Sequence, residues 1–524
     1  MIQPIDRDEA RFAQASRQMW ESGDFVVPRI QDRPRLNKPP LVYWLQCGSI
    51  AVFGDSPGQY AHGNIWVFRL PSVLCAIASV LLTWRLGLRL MDPRAAAMGA
   101  ALLAVCPLVA WDAHQARADQ VLLLTVVGTQ WALWECWRRA RMGRGVPVGM
   151  CALLWAAIGL GVLAKGPITP MIAALTCGAL CWQMKSWRWM LRLRPAMGAA
   201  IVAALVMPWV IAVASRVGWE VYLQTVLDET LGRSAGAKEG HWGPPGYHVV
   251  ALCVLFWPGV LMTGLAVRRA LKRRRADASM FLLAWILPAW IVFELVSTKL
   301  PHYTMPLYPA IALLSGRAVL AAGSGRLTGL REWGTRIGFV IWGLVGVGIL
   351  AAGIALLALL SGFDDVNNEA TITSLWYVGI VFVLVQTARS MWGGRWVQAQ
   401  LRSLIAAALM LALLFQTLAP AANRMSTRIV EAIHEADPSG ERPIAAVGYQ
   451  EDSLIFLSRG RIQRVAADAR DVWASTNEGG ILIEDLSSSF TAEALRQPLP
   501  GMISGLNYSR GRVERVWLVV GERE

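Results

Sequence analysis

Long apolar runs recur from about residue 69 to residue 420, and no other feature of the sequence restricts the fold so severely. Runs of this length match the hydrocarbon core of a bilayer, where each backbone N–H and C=O must be satisfied inside its own segment, so they must be helices. About twelve candidate spans can be marked: 69–90, 95–113, 119–137, 148–164, 168–184, 196–215, 248–267, 279–297, 303–321, 337–361, 374–388 and 403–420. The composition agrees. Of 524 residues 55% are hydrophobic and 16% charged, with mean hydropathy +0.42, where a soluble protein carries roughly 25% charge.

The net charge of +14 and a pI near 9.8 would suggest nucleic acid in a soluble chain. Here the basic residues gather in short loops between apolar runs: Arg85 to Arg94, Arg138 to Arg144, Lys185 to Arg194, Arg268 to Arg275, Arg326 to Arg336, and Arg389 with Arg395. Such loops face the cytoplasm and its anionic lipid, so membrane lipids are expected partners and nucleic acid is not. The alternate loops, 113–119, 165–167, 216–247, 298–303 and 362–373, then face the other side. Parity places both ends of the chain there too. The expected organisation is a juxtamembrane segment over 1–65, a transmembrane domain over 66–420 and a soluble α/β domain over 421–524. In the last, 443–448, 454–457, 480–484 and 515–520 read as strands. No signal peptide and no apolar run precede residue 6, so a further spanning helix upstream is expected. The eight cysteines lie in or beside apolar runs without metal-ligand spacing and read as small buried hydrophobes.

The segment before the first span is polar. Residues 6–22 read as a helix, with Asp6 and Glu9 spaced as a capping box and Phe12, Ala15, Met19 and Trp20 as a loose apolar face. Leu41 to Phe53 reads as a second helix, too short to span and suited to lie on the membrane surface.

Three lysines on the outer side share one arrangement: Lys38-Pro39-Pro40, Lys165-Gly166-Pro167, and Lys299-Leu300-Pro301-His302-Tyr303. Proline suits the first turn of a helix. A cation beside a helix N-terminus makes an anion site, with backbone N–H groups adding to the charge. One such lysine alone reads as an anchor that snorkels to headgroups. Three on the face that should be poor in cations point to a phosphate or pyrophosphate. The acids of the same face are Asp8, Glu9, Asp119 and Glu229. Each suits a helix start, and Asp119 follows Arg117 closely enough to pair with it. Functionally, one of them can serve as general base or metal ligand. In the loop 216–247, Arg233 is a candidate phosphate clamp, near Lys238. His241 reads equally as ligand, proton carrier or turn residue. Glu294 lies inside an apolar run, where an acid is a functional candidate or a partner for Lys299.

Taken together, DEARFA, KPPLVYW, RLPS, ARADQVLL, GVLAKGP, the spacing of Glu229 and Arg233, HWGPP and STKLPHYTMPLYPAIALL resemble the ArnT-type bacterial glycosyltransferases. These are the aminoarabinose–lipid A transferases, relatives of the protein O-mannosyltransferases in the GT-C superfamily. The ordered motifs cover roughly residues 5–320; the C-terminal third matches in layout alone. The resemblance implies a mainly α, polytopic GT-C bundle in the bacterial inner membrane, with juxtamembrane helices and an active site facing the periplasm. It implies a polyprenyl-phosphate sugar donor, an inverting mechanism and an envelope lipid or protein acceptor. By similarity Asp8 falls on the essential acid, with Glu9 and Asp119 beside it. Lys38 and Arg233 fall on donor-phosphate ligands, and Asp119, Lys165 and Tyr303 on further pocket positions; Lys299, read from its own Lys–Pro junction, is a further candidate for the donor phosphate. Arg117, Glu229, His241 and His302 complete the expected pocket. Two positions depart from the pattern. Asn37 stands where the aminoarabinose enzymes have a glutamate and a metal, which leaves a divalent metal ion open as cofactor. Phe12 stands where they have a tyrosine, which leaves the acceptor open. A lipid-linked sugar transporter or flippase is the alternative from another class.

Overall fold

The computed structural model describes every residue except 1, 5–6, 55–63, 231–242, 326–332, 361–369, 423–424, 478, 486–501, 508–511 and 521–524. Helix α1 (Asp8–Ser22) begins on two acids, where carboxylates favour the helix dipole. It ends at Gly23, whose φ of 69° is the left-handed geometry that glycine tolerates. Asp6, the expected first member of a capping box, lies outside the described residues. The apolar face of α1 is fuller than its spacing suggests, because two cores meet on it. Phe12, Ala15 and Met19 pack with Val42, Tyr43 and Cys47 of α2 (Leu41–Phe53). Ala10 and Ala13 pack with Phe68 and with Phe456, which comes from the C-terminal domain. Between α1 and α2 the chain makes a two-residue ribbon, β1 (Arg29–Ile30) against β2 (Arg33–Pro34).

Every one of the expected spans falls on helix. The first is α3 (Ile65–Leu90). The second is broken into α4 (Pro93–Ala104) and α5 (Pro107–Ala113), bent by 57°, because Pro107 cannot donate to the helix before it and instead opens the next. There follow α6 (Asp119–Arg141), α7 (Val148–Lys165), α8 (Ile168–Met184), α9 (Pro195–Val217) and the short α10 (Trp219–Thr230). The run 248–267 is not one helix: it breaks at Trp257-Pro258 into Tyr247–Leu255 and Val260–Lys272. The remaining spans are Asp277–Leu295, Pro301–Gly323, Trp333–Leu360, Ala370–Trp392 and Trp396–Leu418. Among the described residues eight helices are long and apolar enough to cross a membrane, or nine if α4 and α5 form one bent span.

A close backbone contact joins α4 to the helix Tyr308–Gly323. A Cβ on Gly316 would lie 2.5 Å from the carbonyl oxygen of Ala95 and from the amide of Gly99. One on Gly99 would lie 2.9 Å from Ala312 and Leu313 backbone atoms. Small residues of this kind let membrane helices approach backbone to backbone.

The C-terminal domain has a mixed five-stranded sheet in the order β4-β3-β5-β7-β6. β3 (Ile444–Val447) runs parallel to β4 (Ile462–Arg464) and β5 (Ile481–Asp485), while β7 (Arg512–Val520) is antiparallel to β5 and β6 (Met502–Asn507). Residues 454–457 are not the strand expected. They belong to a buried helix, Asp452–Leu457. A four-residue apolar run does not distinguish strand from buried helix. Here the left-handed pair Arg459 and Gly460 closes a helix.

Gly316→Ala should destabilise the protein by about 1–3 kcal/mol, since the atoms it meets are backbone and cannot turn away. Gly178→Ala, with nothing within 4 Å of the added Cβ, should be neutral or slightly stabilising; thermal melts of the two purified variants in detergent make the comparison.

Candidate active site

The first acid of α1 faces the solvent side of the bundle. The Asp8 side chain is 45% exposed. Its Oδ2 accepts from Arg117 Nη2 at 3.2 Å, and Arg35 Nη2 lies 3.8 Å from Oδ1. Arg35 is itself buried, with its guanidinium 4.7 Å over the Phe12 ring. Desolvation raises the Asp8 pKa, but Arg117, Arg35, Lys38 and Lys165 outweigh it and hold the carboxyl well below the usual carboxylate range. A carboxyl depressed in this way adds stability at any pH above its unfolded value, near 4, and gives it up only as pH falls through the lower folded value. Asp8 therefore stays ionised throughout the neutral range.

Glu9 has a different task. It is 1% exposed and forms a bidentate pair with Arg69, at 2.7 Å from Nε to Oε1 and 2.9 Å from Nη2 to Oε2. Oε1 also accepts from the amide of Ala116 at 2.8 Å. Arg69 donates further to the carbonyls of Ile2 and Gln3. This knot ties α1 to α3 and to the loop before α6.

Arg117, in that loop, joins Asp8 to the interior. Its Nη2 lies 3.6 Å from Asp119 Oδ2, and its Nη1 lies 3.8 Å from Asp112 Oδ1. Burial lowers its pKa, but Asp119, Asp112, Asp8 and Glu9 raise it further, so it is a permanent cation. Asp119, the first residue of α6, is buried. It accepts from Lys165 Nζ and lies 3.9 Å from His302 Nε2. A continuous ionic chain thus runs from Asp8 through Arg117 and Asp119 to Lys165.

Lys165 opens onto a cavity of about 690 Å³. Its polar lining is Asn37, Lys38, Asp119, Lys165, Glu229, His302 and Tyr303, with Lys165 and His302 both beside Asp119. The rest of the lining is largely apolar and includes Leu122, Val162, Ile168, Trp209, Val210 and Phe293. The backbone builds the polar lining. Gly166 has φ +65° and ψ −133°, a geometry that needs glycine. It turns the chain from the end of α7 into α8, so that Lys165, Gly166, Pro167 and Ile168 all line the cavity. Lys38 and Pro39 line it just before α2. Both cations already hold a carboxylate: Lys38 Nζ is 3.7 Å from Glu229 Oε2 on α10, and Lys165 pairs with Asp119.

Not every expected residue joins. Lys299 is buried, and its Nζ donates to the carbonyls of Glu294 at 2.7 Å and Val296 at 3.0 Å; it does not line the cavity. It folds back to cap the C-terminal end of the helix Asp277–Leu295, a suitable place for a cation. Glu294 does not pair with it through its side chain. Its carboxylate accepts from the amides of Gly246 and His248, at the start of the helix Tyr247–Leu255. Arg233, Lys238 and His241 lie outside the described residues. Asp112, Arg35 and Trp209 are additions. Asp112 is an acid inside the apolar run 95–113, a signal that could have found it. Arg35 looked like one of several arginines in a turn, and Trp209 like one of many apolar helix residues. Among the described residues no three His, Cys, Asp or Glu side chains gather as metal ligands, and Asn37 offers only an amide.

A family described as dolichyl-phosphate-mannose-protein mannosyltransferase matches residues 37–211. The undecaprenyl phosphate-alpha-4-amino-4-deoxy-L-arabinose arabinosyl transferase of Pseudomonas aeruginosa (strain LESB58) is 34% identical over 363 residues, or 67% of this chain and 60% of the relative. The transferase of the same description from Edwardsiella ictaluri (strain 93-146) is 30% identical over 67% of this chain and 61% of its own length. The chain thus spans about three fifths of the curated relatives it matches. Among solved structures, ArnT from Cupriavidus metallidurans bound to undecaprenyl phosphate has a TM-score of 0.70 at 19% identity, covering 98% of this chain and 94% of that one. The Archaeoglobus fulgidus oligosaccharyltransferase in its apo form has a TM-score of 0.53 at 12% identity, over 93% and 66%. The fold is that of the ArnT structures, and the protein is a multi-pass membrane protein.

The two neighbouring acids should separate in a single assay. Glu9→Gln strands the buried Arg69 charge and should cost about 3–5 kcal/mol of stability, seen as an early thermal melt. Asp8→Asn should leave the melt within about 1 kcal/mol of wild type, as expected for a half-exposed ion pair.

Proposed function

For a chain that has the ArnT fold and is a relative of the undecaprenyl phosphate-aminoarabinose transferases, we propose the following activity: transfer of a sugar from a polyprenyl-phosphate donor to an acceptor in the bacterial envelope. One observation carries this reading. A single cavity is lined by two lysines, a histidine, a tyrosine and the start of α8, and otherwise mainly by apolar side chains. That lining suits an amphiphile with an anionic head. Lys38 and Lys165 hold the donor phosphate, with the N-terminal amides of α8 facing the same charge. Arg233 and Tyr303 join them. The donor phosphate displaces Glu229 from Lys38 and competes with Asp119 for Lys165. When the glycosidic bond breaks, negative charge grows on the leaving polyprenyl phosphate, and preplaced cations stabilise it at that moment. The acceptor attacks from the opposite face of the sugar, with inversion.

Asp8 then orients the acceptor by accepting a hydrogen bond from a hydroxyl or N–H group beside its reacting atom, since an ionised carboxylate only accepts. A general base works best with a pKa near the working pH, and the Asp8 carboxyl is held far below it. This favours an acceptor that arrives already ionised, such as the phosphate of a lipid like lipid A, over the neutral hydroxyl of a protein. No step is assigned to a metal ion. The basic loops support an orientation in the inner membrane with 1–65, the cavity mouth and 421–524 on the periplasmic side.

The direct test is to incubate purified protein with undecaprenyl-phosphate-linked aminoarabinose and either lipid A or a hydroxyl-bearing peptide, and to identify products by mass. A glycosylated lipid supports the reading. A glycosylated peptide moves it to the protein-acceptor class. Uptake of donor into vesicles with no covalent product moves it to a transporter. Lys38→Ala and Lys165→Ala should each weaken undecaprenyl phosphate binding by about 10- to 150-fold, the equivalent of a charged hydrogen bond worth roughly 1.5–3 kcal/mol. Lys299→Ala should lower the melting temperature and leave that affinity within about twofold, because its ammonium already serves a helix end.

A further inference from the structure

Arg11 stands three residues after Asp8 on α1, so the two side chains are neighbours on one helix face. Both reach solvent, Arg11 being 36% exposed. An aspartate and an arginine at this spacing attract each other, yet they are not paired. The carboxylate of Asp8 goes to Arg117 and Arg35, while Arg11 Nε donates to Asp452 Oδ2 at 2.7 Å. Asp452 belongs to the C-terminal domain and is buried. Its other oxygen accepts from Arg464 of its own domain at 2.7 Å, so it is fixed from behind while it holds Arg11 in front. Further along α1, Arg17 is 1% exposed, donates to the carbonyl of Phe456 at 2.9 Å and lies 4.9 Å over the Phe456 ring. That contact sets the register between α1 and the domain. The domain therefore takes from Asp8 the cation that stands one helical turn away.

We propose that Asp452 is a positioning residue of the transfer site: by holding Arg11 it keeps the open side of the Asp8 carboxylate clear for a hydroxyl or N–H donor of the acceptor. A third guanidinium on Asp8, added to Arg117 and Arg35, would cover its exposed oxygen. The proposal rests on the reading of Asp8 as the acceptor-facing acid, and it gives the C-terminal domain a role in the reaction.

The test is a pair of cycles on the full-length protein. Asp452→Asn should slow transfer from undecaprenyl-phosphate-linked aminoarabinose to lipid A by about tenfold or more. Arg11→Gln alone should stay within about twofold of wild type, and the double variant should recover to within about threefold, because the intruding cation is gone. A domain-docking role for Asp452 would leave the double variant as slow as Asp452→Asn, and that result overturns the proposal. A second readout needs no substrate: carbodiimide labelling of Asp8, followed by peptide mass spectrometry. Labelling should fall about threefold or more in Asp452→Asn and return in the double variant, since a paired carboxylate is covered. If wild type transfers nothing, the proposed function fails, and labelling alone decides this inference: unchanged labelling in Asp452→Asn overturns it. Asp452→Ser serves in place of Asp452→Asn if the latter is not recovered folded.

Discussion

The pair of Glu9 and Arg69 is almost wholly removed from solvent, and the position of α1 depends on it. Two charges in such a place are costly unless each is fully satisfied. Here they are: Glu9 receives both arms of the guanidinium and the amide of Ala116, and Arg69 also reaches the carbonyls of Ile2 and Gln3. The geometry leaves little freedom. Once Glu9 is seated, its neighbour Asp8 must stand at the edge of the bundle, within reach of Arg117. Arg117 in turn is held by Asp112 and Asp119. One buried ion pair thus fixes where the acid stands relative to the cavity.

The cavity shows how a membrane protein can keep cations ready without leaving them bare. A lysine facing apolar walls with no counter-charge would lose its proton or its place. Lys38 has Glu229 and Lys165 has Asp119. The two carboxylates offset the ammonium charges, and a phosphate would compete with each for the same ammonium. Lys299 shows the contrasting case. Its charge goes to carbonyls at a helix end, and it takes no part in the cavity although its sequence setting looks like the other two.

That contrast marks how far the sequence could be read. The spans were legible because bilayer thickness imposes a length that few other structures share. The Lys–Pro junctions were legible as helix starts, and two of the three lysines face the cavity. What separates the third is the direction of one side chain, which spacing does not encode. Glu9 and Asp8 were legible as a pair of acids, but not that one is buried on Arg69 and the other exposed, since the partner lies sixty positions away. The helix at 452–457 was read as a strand because a short apolar run carries no period. Its docking on α1 through Arg11 and Arg17, and on α3 through Phe68, joins segments hundreds of residues apart and left no local signal.

The central claim is that Lys38 and Lys165 face one anionic group while the apolar walls along α9 hold its hydrocarbon tail. An electron cryomicroscopy structure of the purified protein with undecaprenyl phosphate tests it most directly. The account predicts phosphate density in contact with both ammonium groups, Glu229 displaced from Lys38, and the prenyl chain lying past Trp209 and Val210. Lipid density bound elsewhere, with the Lys38–Glu229 and Lys165–Asp119 pairs intact, would contradict it.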